Sequence, residues 1–204
     1  NEDLEKLEQL DCDIVYTPAI NDLYTENEEA KQFDFGSLAN CMEGKFRPGH
    51  FNGMATIVEK LFNIILPTKA FFGQKDLQQL QIVKELTKQM NSTIKIVSVA
   101  TARENNGLAK SSRNQLLSKK AKDQAGIIYE CLNYCKRNKN RDVVYLKSYI
   151  QNIFKQQKFC QLEYAEIVSL NTMLPIQKWE GKNDNAICIA AHIEGVRLID
   201  NIIL

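Results

Sequence analysis

Histidine is nearly absent from this chain of 204 residues, with only His50 and His192, so chemistry built on a histidine pair would have to unite distant segments. Net charge is also lacking: 26 basic residues oppose 25 acidic ones for a formal +1, which argues against a broad basic face for nucleic acid or anionic membrane. No apolar run approaches the roughly 18 residues of a spanning helix. The opening NEDLEKLEQL is acidic and amphipathic where a secretory leader is basic and then apolar. A soluble, cytoplasmic protein is therefore expected. The chain opens at Asn1 without a methionine, and it carries no internal repeat. The six cysteines (12, 41, 131, 135, 160, 188) include no CxxC pair. Cys131 and Cys135 have the spacing of one helical face, but no histidine or second cysteine pair lies nearby in sequence to complete a metal site. All six are read as reduced, partly buried thiols.

What is present is ordinary globular composition, 44% hydrophobic and 25% charged, in a length that suits one large domain or two small ones. Leu4, Leu7 and Leu10 share a helical face, and DIVYTP (13–18) reads as a short buried strand stopped by Pro18. Residues 21–49 are expected to be mostly loop. Apolar residues at 51, 54, 55, 58, 61, 62 and 65 form a helical stripe ended by Pro67. KAFF (69–72) then reads as a strand, Gly73 as a turn, and Asp76 with Gln79 as a capping-box start for a helix striped by Leu77, Leu80, Val83, Leu86 and Met90. TIKIVSVA (93–100) is β-branched and closes a βαβ unit, which favours a parallel sheet. Ligands of such sheets bind beyond the carboxyl ends of the strands, which places a site at GQKD (73–76).

The last third differs in character. Ser118 caps a predicted helix running to about Lys136, and Asn140 a second one carrying Leu146, Ile150, Ile153 and Phe154. YAEIVSL, AICIAAHIEG and VRLIDNI follow without intervening helices, as expected of a small antiparallel sheet. The fold class expected is thus α/β: a Rossmann-like parallel-sheet domain at 1–101, N-terminally incomplete, and a smaller C-terminal α+β domain at 102–204.

Two clusters suit phosphate. In GQKD, Lys75 and Asp76 stand where a strand meets a helix N-terminus, whose free N–H groups and dipole favour an anion. In GLAKSSRN (107–114), a glycine turn, two hydroxyls, Lys110 and Arg113 lie within eight residues. Hydroxyls and amides donate to phosphate oxygens, and a guanidinium grips two at once. A lysine at a helix start is usually a solvated charge and SSRN is often a capped loop; their meeting at a predicted interdomain cleft is what gives them weight. A third cluster, EGKFRPGHF (43–51), sets Arg47 and His50 on a Pro-Gly turn. His50 is read first as a brace for that turn, with a general base or metal ligand as the alternative. Arg47 suits an anionic ligand or a subunit contact, and His192 a packed or edge position.

EGKFRPGHFNGM, FFGQKDLQQL, RENNGLAKSSRN and VRLIDNI, in this order and spacing over about residues 1–202, resemble the pantothenate synthetase (pantoate:beta-alanine ligase) family, adenylate-forming members of the HxGH nucleotidyltransferase superfamily. The resemblance implies a Rossmann-like domain, a C-terminal lid, a homodimer, and ATP- and Mg2+-dependent joining of (R)-pantoate to β-alanine with release of AMP and pyrophosphate. It implies ATP contacts at Gly73, Gln74, Lys75 and Asp76, with Lys75, the catalytic candidate, near the transferring phosphates. Pantoate falls to Gln79. Ser111, Ser112, Arg113 and Asn114, with Lys110 before them, match the family's SSRN loop. Ala102 matches a position whose backbone meets adenine, and Arg47 is a candidate for β-alanine or a subunit contact. No metal-ligating residue is implied.

Two departures stand out. Gln74 replaces the family's usual glutamate, removing a negative charge beside the phosphates. Neither His50 nor His192 matches the HxGH histidines, so that motif is expected upstream of Asn1, and the 204 residues alone are expected to be inactive or nearly so. The alternative is a truncated, non-catalytic nucleotide-binding or dimerisation module.

Overall fold

A computed structural model describes residues 2–24, 29–179, 181 and 184–204. The chain begins with α1 (Glu2–Gln9), none of whose residues is buried, and a short helical turn, α2 (Ile20–Leu23). Between them the expected strand at 13–18 does not form: the backbone is irregular and Ile14 is 85% exposed. A run of three apolar residues, Ile14 to Tyr16, becomes a strand only beside a partner, and no described strand pairs with it. Residues 29–49 carry only a 3-10 turn, Gly36–Ala39, and the five-residue α3 (Met42–Phe46).

The βαβ unit is as predicted. Helix α4 (His50–Ile65) buries Phe51, Ala55, Val58 and Phe62, the inner part of its apolar stripe. Strand β1 (Lys69–Gly73) pairs in parallel with β2 (Lys95–Val99), Lys69 beside Lys95 through Gly73 beside Val99. Helix α5 (Leu77–Gln89) crosses between them. Its start differs from expectation, because Asp76 makes no capping bond. The chain enters α5 through a 3-10 turn, Gln74–Asp76, and the φ of −96° and ψ of 59° at Asp76 depart from the extended cap geometry that aims a side-chain oxygen at the first turn.

In the last third Ser118 does cap, accepting from the Ala121 N–H at 3.1 Å, but the helix it opens is divided into α6 (Lys119–Gln124) and α7 (Gly126–Arg137). Helix α8 (Val143–Lys155) begins after Asp142, not after Asn140, because a turn closed by Arg141 N–H on the Asn138 carbonyl occupies the expected cap. Strands β3 (Cys160–Ser169), β4 (Asn185–Ile193) and β5 (Val196–Ile203) form an antiparallel sheet with β4 at its centre.

That sheet explains the long apolar run of β4. Successive side chains point to opposite faces. Ile187, Ile189, Ala191 and Ile193 enter a core with Ile128 and Leu132 of α7 and Leu146 and Ile150 of α8. Ala186 and Cys188, with Val168 and Met173, enter a second core with α4 and α5. Each large aliphatic chain fully withdrawn from water contributes about 1.5–3 kcal/mol. The sheet is therefore glued on both faces, and the end of the chain lies against the βαβ unit. No described helix is long and apolar enough to cross a membrane.

Candidate active site

Beyond the carboxyl end of β1 lies a cavity of about 360 Å³, walled by α3, the Arg47–His50 turn, the start of α5, the Ser111–Arg113 loop and β5. Pro48 and Gly49 turn the chain so that His50 N–H donates to the Arg47 carbonyl at 3.1 Å, and Arg47 Nη1 lies 3.2 Å from His50 Nε2. A guanidinium only donates, so that ring nitrogen accepts and the imidazole is neutral. Burial, and then the charge of Arg47, pushes the His50 pKa below its ordinary value. His50 thus braces its turn, as expected.

Lys75 stands on the 3-10 turn with Nζ 3.8 Å from Asp76 Oδ1. The next residues divide labour. Gln78 is buried and donates to the carbonyls of Leu38 and Cys41 at 2.7 and 2.9 Å while accepting from Glu43 N–H, tying α5 to α3. Gln79, its neighbour, lines the cavity. On the opposite side Ser111 Oγ accepts from Arg113 N–H, and the buried Asn114 side chain donates to the Ala109 carbonyl at 3.1 Å, shaping the loop that brings Ser111, Ser112 and Arg113 to the cavity. Gly107 bends this loop with φ +88°, and a Cβ there would stand 2.1 Å from the Tyr129 ring.

Three carboxylates also face the cavity, but two are already engaged. Glu43 is gripped by Arg197 through Nη1 and Nη2 at 2.8 and 2.6 Å and accepts from Tyr164 Oη at 2.9 Å. Asp200 is held by both terminal nitrogens of Arg103 at 2.5 and 3.1 Å; burial raises its pKa, and the guanidinium opposes that rise. This leaves Arg47, Lys75 and Arg113 against the half-exposed Asp76, a cationic lining suited to a multiply charged anion. Among the described residues, no group of three or more histidine, cysteine or carboxylate side chains is placed to hold a metal. Cys131 and Cys135 are core residues whose thiols burial pushes up to about 12.

Residues 1–203 match the family model described as Pantoate-beta-alanine ligase. The chain belongs to that family. It is 42% identical to the pantothenate synthetase of Christiangramia forsetii over 210 residues, spanning 100% of this chain and 73% of the relative. A crystal structure of pantothenate synthetase from Thermus thermophilus superposes with a TM-score of 0.91 at 30% identity, covering 98% of this chain and 73% of that one. A pantoate-beta-alanine ligase from Francisella tularensis, complexed with beta-gamma ATP and beta-alanine, matches at a TM-score of 0.74 and 32% identity over 99% of this chain and 69% of its own.

Of the residues the ligase resemblance singles out, the fold brings Arg47, Lys75, Asp76, Gln79, Ser111, Ser112 and Arg113 to one cavity, which His50 also lines. Five others stand apart from its walls, Asn114 among them as the brace within its loop. Gly73 ends β1, and Gln74 turns its amide to Asn201 at 3.4 Å, a donation that a glutamate has no hydrogen to make. The Ala102 carbonyl accepts from Lys110 N–H at 2.9 Å, and Lys110 lines a neighbouring, wider groove with Ser111 and Ser112. His192 is outside the cavity lining and meets Glu163 at 3.1 Å.

Sequence reasoning passed over Glu43, Arg103, Tyr164, Arg197, Asp200 and Asn201. One signal was available: VRLIDNII sets charged and amide side chains in an otherwise apolar strand, and a polar group buried there demands a partner.

Proposed function

We propose that this chain acts in an ATP-dependent ligase that condenses (R)-pantoate with β-alanine to pantothenate through a pantoyl-adenylate. The observation that carries the reading is the convergence of Lys75, Gln79, Ser111, Ser112, Arg113 and Arg47, from three separated segments, on one cavity of a size usual for small-molecule sites. In the first step pantoate's carboxylate oxygen attacks the α-phosphorus of ATP and pyrophosphate leaves. In the second the amine of β-alanine attacks the acyl carbon, loses a proton, and AMP leaves with the oxygen. Neither step needs a covalent enzyme nucleophile, so the protein's contribution is alignment and charge compensation.

Lys75 and Arg113 are placed to offset charge growing on the phosphates, Ser111 and Ser112 to donate to their oxygens, and Gln79 to hold pantoate. Gly73, Gln74, Asp76 and Lys110 act as further ATP contacts, and Ala102 through its backbone at the adenine. Arg47 serves the carboxylate of β-alanine or a neighbouring subunit. Among the described residues Asp76 is the one cavity carboxylate not gripped by an arginine, which fits a Mg2+ bound largely through phosphate and water oxygens. That ion would neutralise phosphate charge.

Residues 1–101 form the nucleotide and pantoate domain and 102–204 the lid, in a cytoplasmic homodimer. The 204 residues assayed alone are expected to show little or no turnover, since their two histidines form no HxGH pair. The test is pantoate-dependent exchange between ATP and pyrophosphate, measured on the protein expressed from its complete gene. Lys75→Ala should fold normally and lose roughly 10²-fold or more of the exchange. Near-normal exchange would remove Lys75 from the mechanism.

A further inference from the structure

VRLIDNI carries the family resemblance, and its three polar side chains all reach back across the fold. Arg197 grips Glu43, Asp200 is held by Arg103, and Asn201 meets the turn that bears Lys75. The last of these has the most direct bearing on the chemistry. Asn201 is 2% exposed. Its Nδ2 donates to the Gln74 carbonyl at 2.9 Å and to the Lys75 carbonyl at 2.8 Å, and its Oδ1 accepts from Gln74 Nε2 at 3.4 Å. Both carbonyls are acceptors only, so the orientation of the carboxamide follows from its partners. The Asn201 backbone is itself anchored, its N–H donating to Asp200 Oδ1 at 2.8 Å.

The turn held in this way is a single 3-10 turn, Gln74–Asp76, between the end of β1 and the start of α5. Such turns have poor hydrogen-bond geometry and little stability of their own. Where Lys75 points is therefore set by whatever holds its backbone, and the observed clamp comes from the far end of the chain.

We propose that Asn201 is a positioning residue for Lys75: its carboxamide clamps the Gln74 and Lys75 carbonyls, so that the lysine is presented to the cavity only while β5 is seated against the βαβ unit. The same strand end, through Asp200 and Arg103, is fastened to the segment leading into the Ser111–Arg113 loop. The two phosphate-facing segments are thus referred to one strand. This inference rests on the reading that Lys75 acts at the phosphates.

The test uses Asn201→Ala and Asn201→Asp in the protein expressed from its complete gene. Aspartate fills the same space but brings no N–H, so a space-filling role would survive that change and a donor role would not. Both variants should lower kcat for pantoate-dependent pyrophosphate exchange about 10-fold or more, the scale expected for a misplaced catalytic group. In the complete reaction kcat/KM for β-alanine, which enters after adenylation, should be unchanged. Amides of residues 74–77 should exchange with deuterium faster in Asn201→Ala. Adding Asn201→Ala to Lys75→Ala should cost no further exchange activity. Wild-type exchange in Asn201→Asp, unchanged protection of the turn, or a multiplicative loss in the double variant would each overturn the proposal; if Asn201→Asp fails to fold, Asn201→Ala decides. Normal activity in Lys75→Ala would sink the catalytic reading instead, with deuterium exchange still reporting on the clamp.

Discussion

Replacing Arg197 by methionine removes the centre of a charged cluster between α3 and the C-terminal sheet. The guanidinium makes two bonds to Glu43 at 2.6 and 2.8 Å and three to Glu163 at 2.6, 3.0 and 3.2 Å, while the two carboxylate side chains are only 12% and 16% exposed. Methionine fills similar space but leaves both carboxylates desolvated and close together, with only Tyr164 on Glu43 and His192 on Glu163. Breaking a buried pair from one side costs about 3–5 kcal/mol, much of it the penalty of the stranded charges. For a chain of this length that is a fall in Tm of about 6–20 °C. The pH dependence has a definite sign. Burial works to raise the Glu163 pKa, but its bonds to Arg197 and His192 outweigh that and hold it below the ordinary value. In the native protein this stability is present above the unfolded pKa and is lost as pH falls through the folded one. In Arg197→Met the stranded Glu163 carboxylate has lost its main partner while burial still opposes its charge, so the deficit shrinks on acidification and the melting curves of parent and variant converge. Thermal melts followed by circular dichroism across pH 7.5 to about 4 read this directly. Adding Glu43→Gln and Glu163→Gln should restore part of the loss, because neutral amides relieve the repulsion. A melt within a degree or so of the parent at neutral pH, or a triple variant as unstable as the single one, would refute this account of the cluster.

Gly107→Ala should destabilise by about 2–4 kcal/mol, combining the cost of a left-handed backbone with overpacking against Tyr129, whose ring is covered by Arg103 at 3.9 Å. Urea unfolding within about 0.5 kcal/mol of the parent would show that the ring moves aside freely. His50→Gln should flatten the acid side of the stability profile. Burial and Arg47 lower the folded pKa, so the unfolded chain binds the proton more readily, and stability present above pH 6.5 falls as pH drops toward the folded value. An unchanged slope of urea midpoint against pH in the variant would assign that titration to another group.

Local pattern was legible wherever one period dominated. The stripe from Phe51 to Ile65 produced α4, the alternation of strand, helix and strand produced a parallel pair, and three strand runs without helices between them produced the antiparallel sheet. It failed where the deciding contact was absent from the segment. Ile14 to Tyr16 resemble a strand until one asks what they pair with, and Asn140 resembles a cap until the 138–141 turn takes its place. The cavity residues Lys75 and Ser111 to Arg113 are those whose chemistry is declared by type and by position at an element's end, whereas Gln79 came from the family resemblance alone.

Glu43, Arg197, Asp200 and Asn201 declare nothing alone, since each matters through a partner far along the chain, as Asn201 does with Lys75 at a separation of 126 residues. By itself the sequence determined the elements, the family and the groups able to meet phosphate, because those depend on residue type and short-range spacing. Only the tertiary structure decided that the last strand bonds to the 74–76 turn, and that a sheet read as one small domain is buried on both faces. Those outcomes depend on which surfaces meet in space, and no local period encodes that.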